Sequence, residues 1–225
     1  MSNFLQICQN VRSQSGISGS GPSNVTGQTA IYADVVRWVT ESYNEIQTEH
    51  ENWNFLHNTY SLAVPAFFDT ITMPVEGVRV ISHESFVMQD INGKRLRIDY
   101  VPWSVWKVAD KLYLDEDNEE GVPEYVTQLP NKSLKFHPTI QEDGVIHFEG
   151  YREPHIMVNS TDVPIIPTQY QTLIEFKALM KYSSYYNATE VFKANDLAYK
   201  ELLSKMKFSE LPKDNTFTRP LVYFA

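Results

Sequence analysis

The apolar residues of this chain change their spacing twice, and no other feature of the sequence restricts its fold as much. From Phe4 to about Glu51 they recur every three to four residues, as on a helix with one buried face. From Thr59 to Met157 they alternate with polar residues, as on half-buried strands, and from Pro167 the helical spacing returns. The order is therefore helix pair, β region, helix pair, an α+β chain. Two helix pairs bury their apolar faces most economically against each other. The sequence thus predicts a four-helix bundle formed by the N- and C-terminal pairs, with an inserted, mostly antiparallel β domain and an extended C-terminal arm. The expected boundaries are 1–58, 59–166, 167–207 and 208–225.

In the first helix, over Asn3–Ser15, Phe4, Cys8 and Val11 share a face flanked by Leu5 and Ile7. Gly16-Ile-Ser-Gly-Ser-Gly-Pro22 interrupts it. The second helix is expected over Thr29–Glu51, with Thr26 as N-cap and Thr29 as the alternative. Tyr32, Val35, Val36, Val39, Tyr43 and Ile46 form its stripe, and Asp34, Arg37, Glu41 and Glu45 face away. The later helices, Gln169–Asn187 and Thr189–Met206, offer Phe176, Leu179, Met180, Tyr186, Phe192, Leu197, Ala198, Leu202 and Leu203 to a seam.

Strands are expected at Thr59–Val64, Val78–Met88, Lys94–Val101, Glu124–Leu129, Ser133–His137 and Val145–Tyr151. Asn92-Gly93 signals a two-residue hairpin turn, and Glu142-Asp-Gly144 a second turn. Pro102–Ala109 reads as one or two helical turns anchored by Trp103 and Trp106, and Asp115–Glu120 as a solvated acidic loop. Pro212 and Pro220 keep the last segment out of a helix. Its end nevertheless carries Phe217, Leu221, Val222, Tyr223 and Phe224, residues that free tails avoid. Such a tail either folds onto its own domain or docks on a partner.

The formal charge of −9 argues against a surface that neutralises phosphates. An acidic wall would instead repel a passing polyanion. The lone Cys8 excludes an intramolecular disulfide, fits a reducing cytosol, and reads as a small buried hydrophobe. No apolar run approaches the ~18 residues of a membrane span. Met-Ser-Asn-Phe-Leu-Gln lacks the features of a signal peptide.

Catalytic patterns are weak. The glycine segment follows a helix and lacks the Gly-Lys-Ser/Thr of a phosphate loop, so a helix connection explains it better. Among His50, His57, His83, His137, His147 and His155 there is no His-x-x-x-His pair. His147 and Glu149 share a strand face and would suit a metal only if His137 approached. The acid pairs Glu142/Asp143 and Asp115/Glu116 fall in turns and loops, where carboxylates stay exposed and unshifted. Trp103, Trp106, Tyr113 and Tyr125 would stack on sugars if exposed, which makes a carbohydrate-binding module the alternative function. A hydrolase ranks below it.

Within Phe4–Leu56, a set of residues carries a resemblance. Leu5-x-x-Cys8, Arg12, Gly16-Ile-Ser-Gly-Ser-Gly-Pro22, Val25-Thr-Gly-Gln-Thr29, Val35-Val-x-Trp38-Val39 and Trp53-x-Phe55 together resemble the head-to-tail adaptor (head-completion, or connector) proteins of tailed bacteriophages, in their short-tailed form. The later helix pair agrees in type and order only. The resemblance implies a structural virion protein of the connector, present in the host cytoplasm during assembly. It would form a homo-oligomeric ring of twelve subunits beneath the portal protein and link it to the tail nozzle and fibres. DNA would pass through the channel without sequence-specific binding, and no membrane is involved. Extended C-terminal arms bind the portal, which assigns that interface here to Phe217, Arg219, Pro220, Leu221, Val222, Tyr223 and Phe224. The resemblance implies no catalytic residue, cofactor or metal.

Overall fold

The computed structural model describes residues 2–73, 77–109 and 120–212. It divides into two compact units, Met1–Phe55 with Pro154–Ala225, and Leu56–Glu153. The described helices are α1 (Phe4–Ser15), α2 (Ala30–Thr48), α3 (Trp103–Ala109), α4 (Thr172–Tyr185) and α5 (Thr189–Glu210). All but α3 belong to the first unit.

Helix α1 starts with a reciprocal cap, in which the Asn3 side chain accepts from Gln6 N and the Gln6 side chain accepts from Asn3 N, both at 2.9 Å. Two more of its free N–H groups, those of Phe4 and Leu5, donate to the carbonyls of Asp162 and Ser160. The helix ends at Gly16, whose φ of +73° favours glycine. Phe4, Ile7, Cys8 and Val11 are buried, and burial pushes the Cys8 thiol up to about 12, which leaves it unreactive. The glycine segment that follows is tied down. Arg12 donates to the Gly19 carbonyl at 2.8 Å, and the Tyr32 hydroxyl donates to the Ser18 carbonyl at 3.1 Å. Gly19 sits at φ +98°, which favours glycine, and a β-carbon there would collide with the Tyr32 hydroxyl.

Helix α2 begins after Thr29, which makes no side-chain cap, and Thr26 lies outside it in a turn organised by Asn24. The buried face contains the expected Val35, Val39, Tyr43 and Ile46, together with Trp38, Ser42 and Gln47. Gln47 is fully buried because it acts as a backbone surrogate. Its Oε1 accepts from His155 N at 2.8 Å and its Nε2 donates to His155 O at 3.0 Å. One turn earlier, the Tyr43 hydroxyl meets His155 Nδ1 at 2.9 Å and accepts from Ile165 N at 3.0 Å. These contacts fix segment 154–166, which has no helix or strand of its own, within the helical unit.

The expected four-helix bundle is not formed. Helix α4 is a hub on which α1, α2 and α5 each pack, while α1 and α2 also meet one another. Its buried residues include Leu173, Ile174, Ala178 and Leu179, and buried Glu175 accepts from Asn10 and Gln14 of α1 at 2.8 and 2.9 Å. Helix α5 lies on α4 and on the 3-10 turn Thr168–Tyr170, burying Tyr199, Leu203 and Met206. Toward α2 it offers polar groups, Tyr199 and Lys207, both bonded to Glu49. Leu197 and Tyr186, expected in the seam, are 72% and 50% exposed. A shared core needs a wide apolar stripe on every helix, and the stripe of α5 is too narrow.

The second unit is built from β1 (His57–Val64), β2 (Thr70–Ile71), β3 (Val78–Ile81), β4 (Val87–Asp90), β5 (Arg95–Arg97), β6 (Asp99–Tyr100), β7 (Glu120–Gly121), β8 (Tyr125–Gln128), β9 (Leu134–His137), β10 (Thr139–Ile140) and β11 (Gly144–Arg152). One sheet runs β1-β11-β4-β5, with β3 also paired to β11, all antiparallel. A second runs β2-β9-β8-β6, in which β6 and β8 are parallel, and β10 pairs β7 in parallel. Tyr60, Leu62, Phe86, Met88, Phe136 and Phe148 are among the residues of the core between them.

Two expected strands are each split. Ser82–Ser85 turns between β3 and β4, and Ile98 is the corner at which the chain leaves β4 for β8. The Asn92-Gly93 connection is a three-residue loop closed by Gly93 N to Asp90 O, with positive φ at Gly93 alone. The acidic stretch 110–119 lies outside the described residues.

Two substitutions test this packing. Gln47→Leu leaves both His155 backbone groups without their partner and is expected to cost about 2–4 kcal/mol in urea unfolding. Gly150→Ala would place a methyl carbon 2.5 Å from the Val80 carbonyl oxygen, a backbone atom. Strand β3 must then shift, at an expected cost of about 1–3 kcal/mol.

Candidate interaction surface

The last turn of α4 and the middle of α2 assemble a cluster of four aromatic rings. Tyr182, Tyr185 and Tyr186 fall at i, i+3 and i+4, so they share the end of α4. Trp38, only 4% exposed, meets the Tyr182 and Tyr185 rings at 5.9 and 5.8 Å, and Tyr186 lies 4.9 Å from both tyrosines. Asn187, at φ +56°, ends the helix there, in a conformation asparagine tolerates. The outer side of the cluster is open, with Tyr185 62% exposed.

Beside the rings runs a groove of about 520 Å³ lined by Trp38, Met180, Tyr185 and Phe192 and walled by charge. Lys181 donates to Glu41 at 3.1 Å and to Glu45 at 2.7 Å, and Lys177 reaches Glu45 at 3.1 Å. Both partners on each helix are four residues apart, which brings them to one face. Burial alone would raise the Glu45 carboxyl. The hydrogen bonds from Lys181 and Lys177 outweigh it and hold the group below its ordinary value. Burial would likewise lower the Lys181 ammonium, but its bonds to Glu45 and Glu41 raise it. Further along, Tyr199 is raised by burial and by Glu49, so its phenol stays protonated.

On the outward face of the larger sheet, cross-strand pairs carry polar contacts. The Ser61 hydroxyl lies 2.8 Å from His147 Nδ1, and His147 Nε2 lies 3.1 Å from Gln89 Oε1. Both ring nitrogens are therefore engaged. Glu149 sits 3.3 Å from His57, and His137 is on β9 of the other sheet, so the structure does not bring His137, His147 and Glu149 together. Among the described residues, no group of three or more His, Cys, Asp or Glu is arranged to hold a metal. Of the other histidines, His50 packs edge-on to Trp53, His83 stacks on Tyr100 at 3.8 Å, and His155 meets Tyr43.

The aromatics considered for sugar stacking are dispersed. Trp106 is buried, Trp103 half-buried, Tyr125 exposed, and Tyr113 lies outside the described residues. Asp143 accepts from Ala66 N at 2.8 Å, and Asp115/Glu116 lie outside the described residues. So do all the assigned portal-interface residues, Phe217, Arg219, Pro220, Leu221, Val222, Tyr223 and Phe224. Sequence reasoning missed the aromatic cluster, although three tyrosines at i, i+3, i+4 ending a helix were a usable signal. No protein-family model matches the chain, and no curated protein matches it.

The charged wall makes stability depend on pH. Because the folded-state Glu45 carboxyl lies below its ordinary value of 4.5, its contribution is present above that pH and lost as pH falls through the folded value. Lys181 acts oppositely, its contribution being lost only as pH rises through a value above 10.5. Glu45→Gln is expected to cost about 0.5–1 kcal/mol near neutrality, as suits a partly exposed network. The difference should vanish in urea titrations carried well below pH 4.5.

Proposed function

We propose that this chain is a structural subunit that works through contacts with other proteins, as a head-to-tail adaptor of a tailed phage. The observation that carries the reading is the open aromatic edge of the helical unit, Tyr185 and Tyr186 seated on the buried Trp38. Tyrosines presented on a rigid, well-packed support are among the residues enriched at protein interfaces. Supporting it, the residues that carry the adaptor resemblance pack into one interlocked piece. Cys8 is buried, Arg12 holds Gly19, Trp38 roots the cluster, and the Trp53 indole donates to Ile46 O at 3.1 Å.

In this reading the subunits close into a ring, twelve by resemblance, beneath the portal, and offer a platform to the tail nozzle and fibres. Each subunit in such a ring buries a different surface on each side. The C-terminal residues Phe217–Phe224 bind the portal. A single arm gains little once its ordering is counted, and repetition around the ring makes the joint stable. The net charge of −9 suits a channel wall that does not retain DNA.

The test is negative-stain imaging of the full chain mixed with its portal. Rings are expected with the full chain, and none with a chain ending at residue 216. Rings that form equally well without residues 217–225 would remove the arm from the reading. Failure to form rings, or tight salt-sensitive DNA binding by the isolated protein, would remove the adaptor role itself.

A further inference from the structure

Three loops of the β unit meet at the end of β1 and β11 opposite to where the chain enters and leaves the unit. They are 65–69 after β1, 90–94 between β4 and β5, and 141–143 before β11. Strand register brings them together, since Val64 lies opposite Gly144 and Gly144 opposite Asp90. Hydrogen bonds then brace them. Ala66 N donates to Asp143 Oδ1 at 2.8 Å, and Phe67 N to Ile140 O at 2.6 Å. Asp90 Oδ1 accepts from Asn92 N and Lys94 N at 2.9 and 2.8 Å.

This braced end carries large apolar side chains in water. Phe67 is 67% exposed, Phe68 54%, Ile91 70%, and Val122, beside the third loop, 50%. That is more than the single apolar residues scattered on any protein surface. Phe67 also holds φ +65°, which a bulky residue adopts only at a cost. A strained backbone that leaves its ring in water gains nothing within the unit, so the ring's partner lies outside it.

Next to these residues opens a hollow of about 140 Å³, lined by Met88 and Leu96 and edged by Lys94, Gln141 and Glu142. Among the described residues, the Lys94 ammonium and the Glu142 carboxylate have no partner. At about 30 Å³ per water, the hollow has room for roughly five water-sized groups, a small polar head rather than an acyl chain.

We propose that this end of the β unit docks on a zwitterionic phospholipid surface. Phe67, Phe68 and Ile91 enter the boundary between headgroups and acyl chains. One headgroup takes the hollow, its phosphate against Lys94 and its ammonium against Glu142. The charges select the surface. The three loops carry Asp69, Asp90, Glu142 and Asp143 against Lys94 alone, so an anionic membrane repels them and a neutral one does not. The same acids oppose a second copy placed end to end. A protein pocket would account for the apolar residues, but not for a free cation and a free anion set in one hollow. The adaptor resemblance does not imply such a contact, and the proposal stands on the β unit alone.

The experiment is flotation of the full chain with vesicles of phosphatidylcholine and phosphatidylethanolamine, and separately with vesicles containing phosphatidylglycerol. The chain is expected to float with the neutral vesicles, and about five-fold less with the anionic ones at low salt. Phe67→Asn with Phe68→Ser should weaken binding to neutral vesicles about ten-fold. Asparagine tolerates a positive φ, so this variant should keep its urea unfolding midpoint. Lys94→Ala with Glu142→Gln, both surface changes, should weaken binding about three-fold. No flotation with neutral vesicles, stronger flotation with anionic ones, or flotation indifferent to the Phe67 and Phe68 changes would overturn the proposal. Self-association of the free chain that these two changes abolish would assign the surface to a second copy, and overturn it as well. So would loss of ring formation on the portal with flotation intact, which would assign the surface to a protein.

Discussion

The helical unit depends on one side chain behaving as backbone. Segment 154–166 crosses the helical unit without helix or strand, yet its N–H and C=O groups need partners as any buried backbone does. Gln47 meets both polar groups of His155, and Tyr43 takes Ile165. Gln171 adds bonds to Pro164 O and Ile166 O, at 3.3 and 3.1 Å. Once this segment is held, the carbonyls of Ser160 and Asp162 are in position to complete the start of α1. Asp162 is itself held below the usual carboxylate range by the backbone N–H groups of Asn159 and Val158. The first helix is thus capped by residues about 150 positions away, and its placement follows from contacts made by α2.

The hub arrangement explains where surface is left over. Helix α4 packs against α1, α2 and α5, and sets its charged residues Lys177 and Lys181 against α2. Three-sided demand on one helix leaves the tyrosines of its last turn without a fourth neighbour among the described residues. An aromatic edge held by Trp38 beneath it is rigid, and rigid aromatics bind at low entropic cost.

Much of this architecture was legible in the sequence and some was not, for identifiable reasons. The helical spacing located α1 and α2 because each has a single apolar face. It misjudged α5, where Leu197 continues the apolar rhythm on an exposed side while ion pairs such as Lys200–Asp196 satisfy the surface locally. Alternation located the strands but ran through Ile98, since a corner between sheets preserves the period of two while changing the partner. Gln47 was invisible as an anchor, because an amide reads as surface until its partner, 108 residues on, is known. Of the candidate site, the charge matching of Glu41/Glu45 with Lys177/Lys181 was readable in principle from i, i+4 spacing. The arm that resemblance assigned to the portal lies outside the described residues.

The pairing of the first and last strands of the β unit has one more consequence. His57 lies opposite Tyr151 and the two strands remain paired as far as Val64 and Gly144. The chain therefore leaves this unit beside the point where it came in. Closing a loop costs entropy that grows with its length, but here the closure is settled inside the unit, at its base. From the helical side, the ninety-odd intervening residues amount to a short staple, whatever their number. Sequence between the two strands is then free to lengthen, shrink or be exchanged for another cassette at almost no thermodynamic penalty to the helices that carry it.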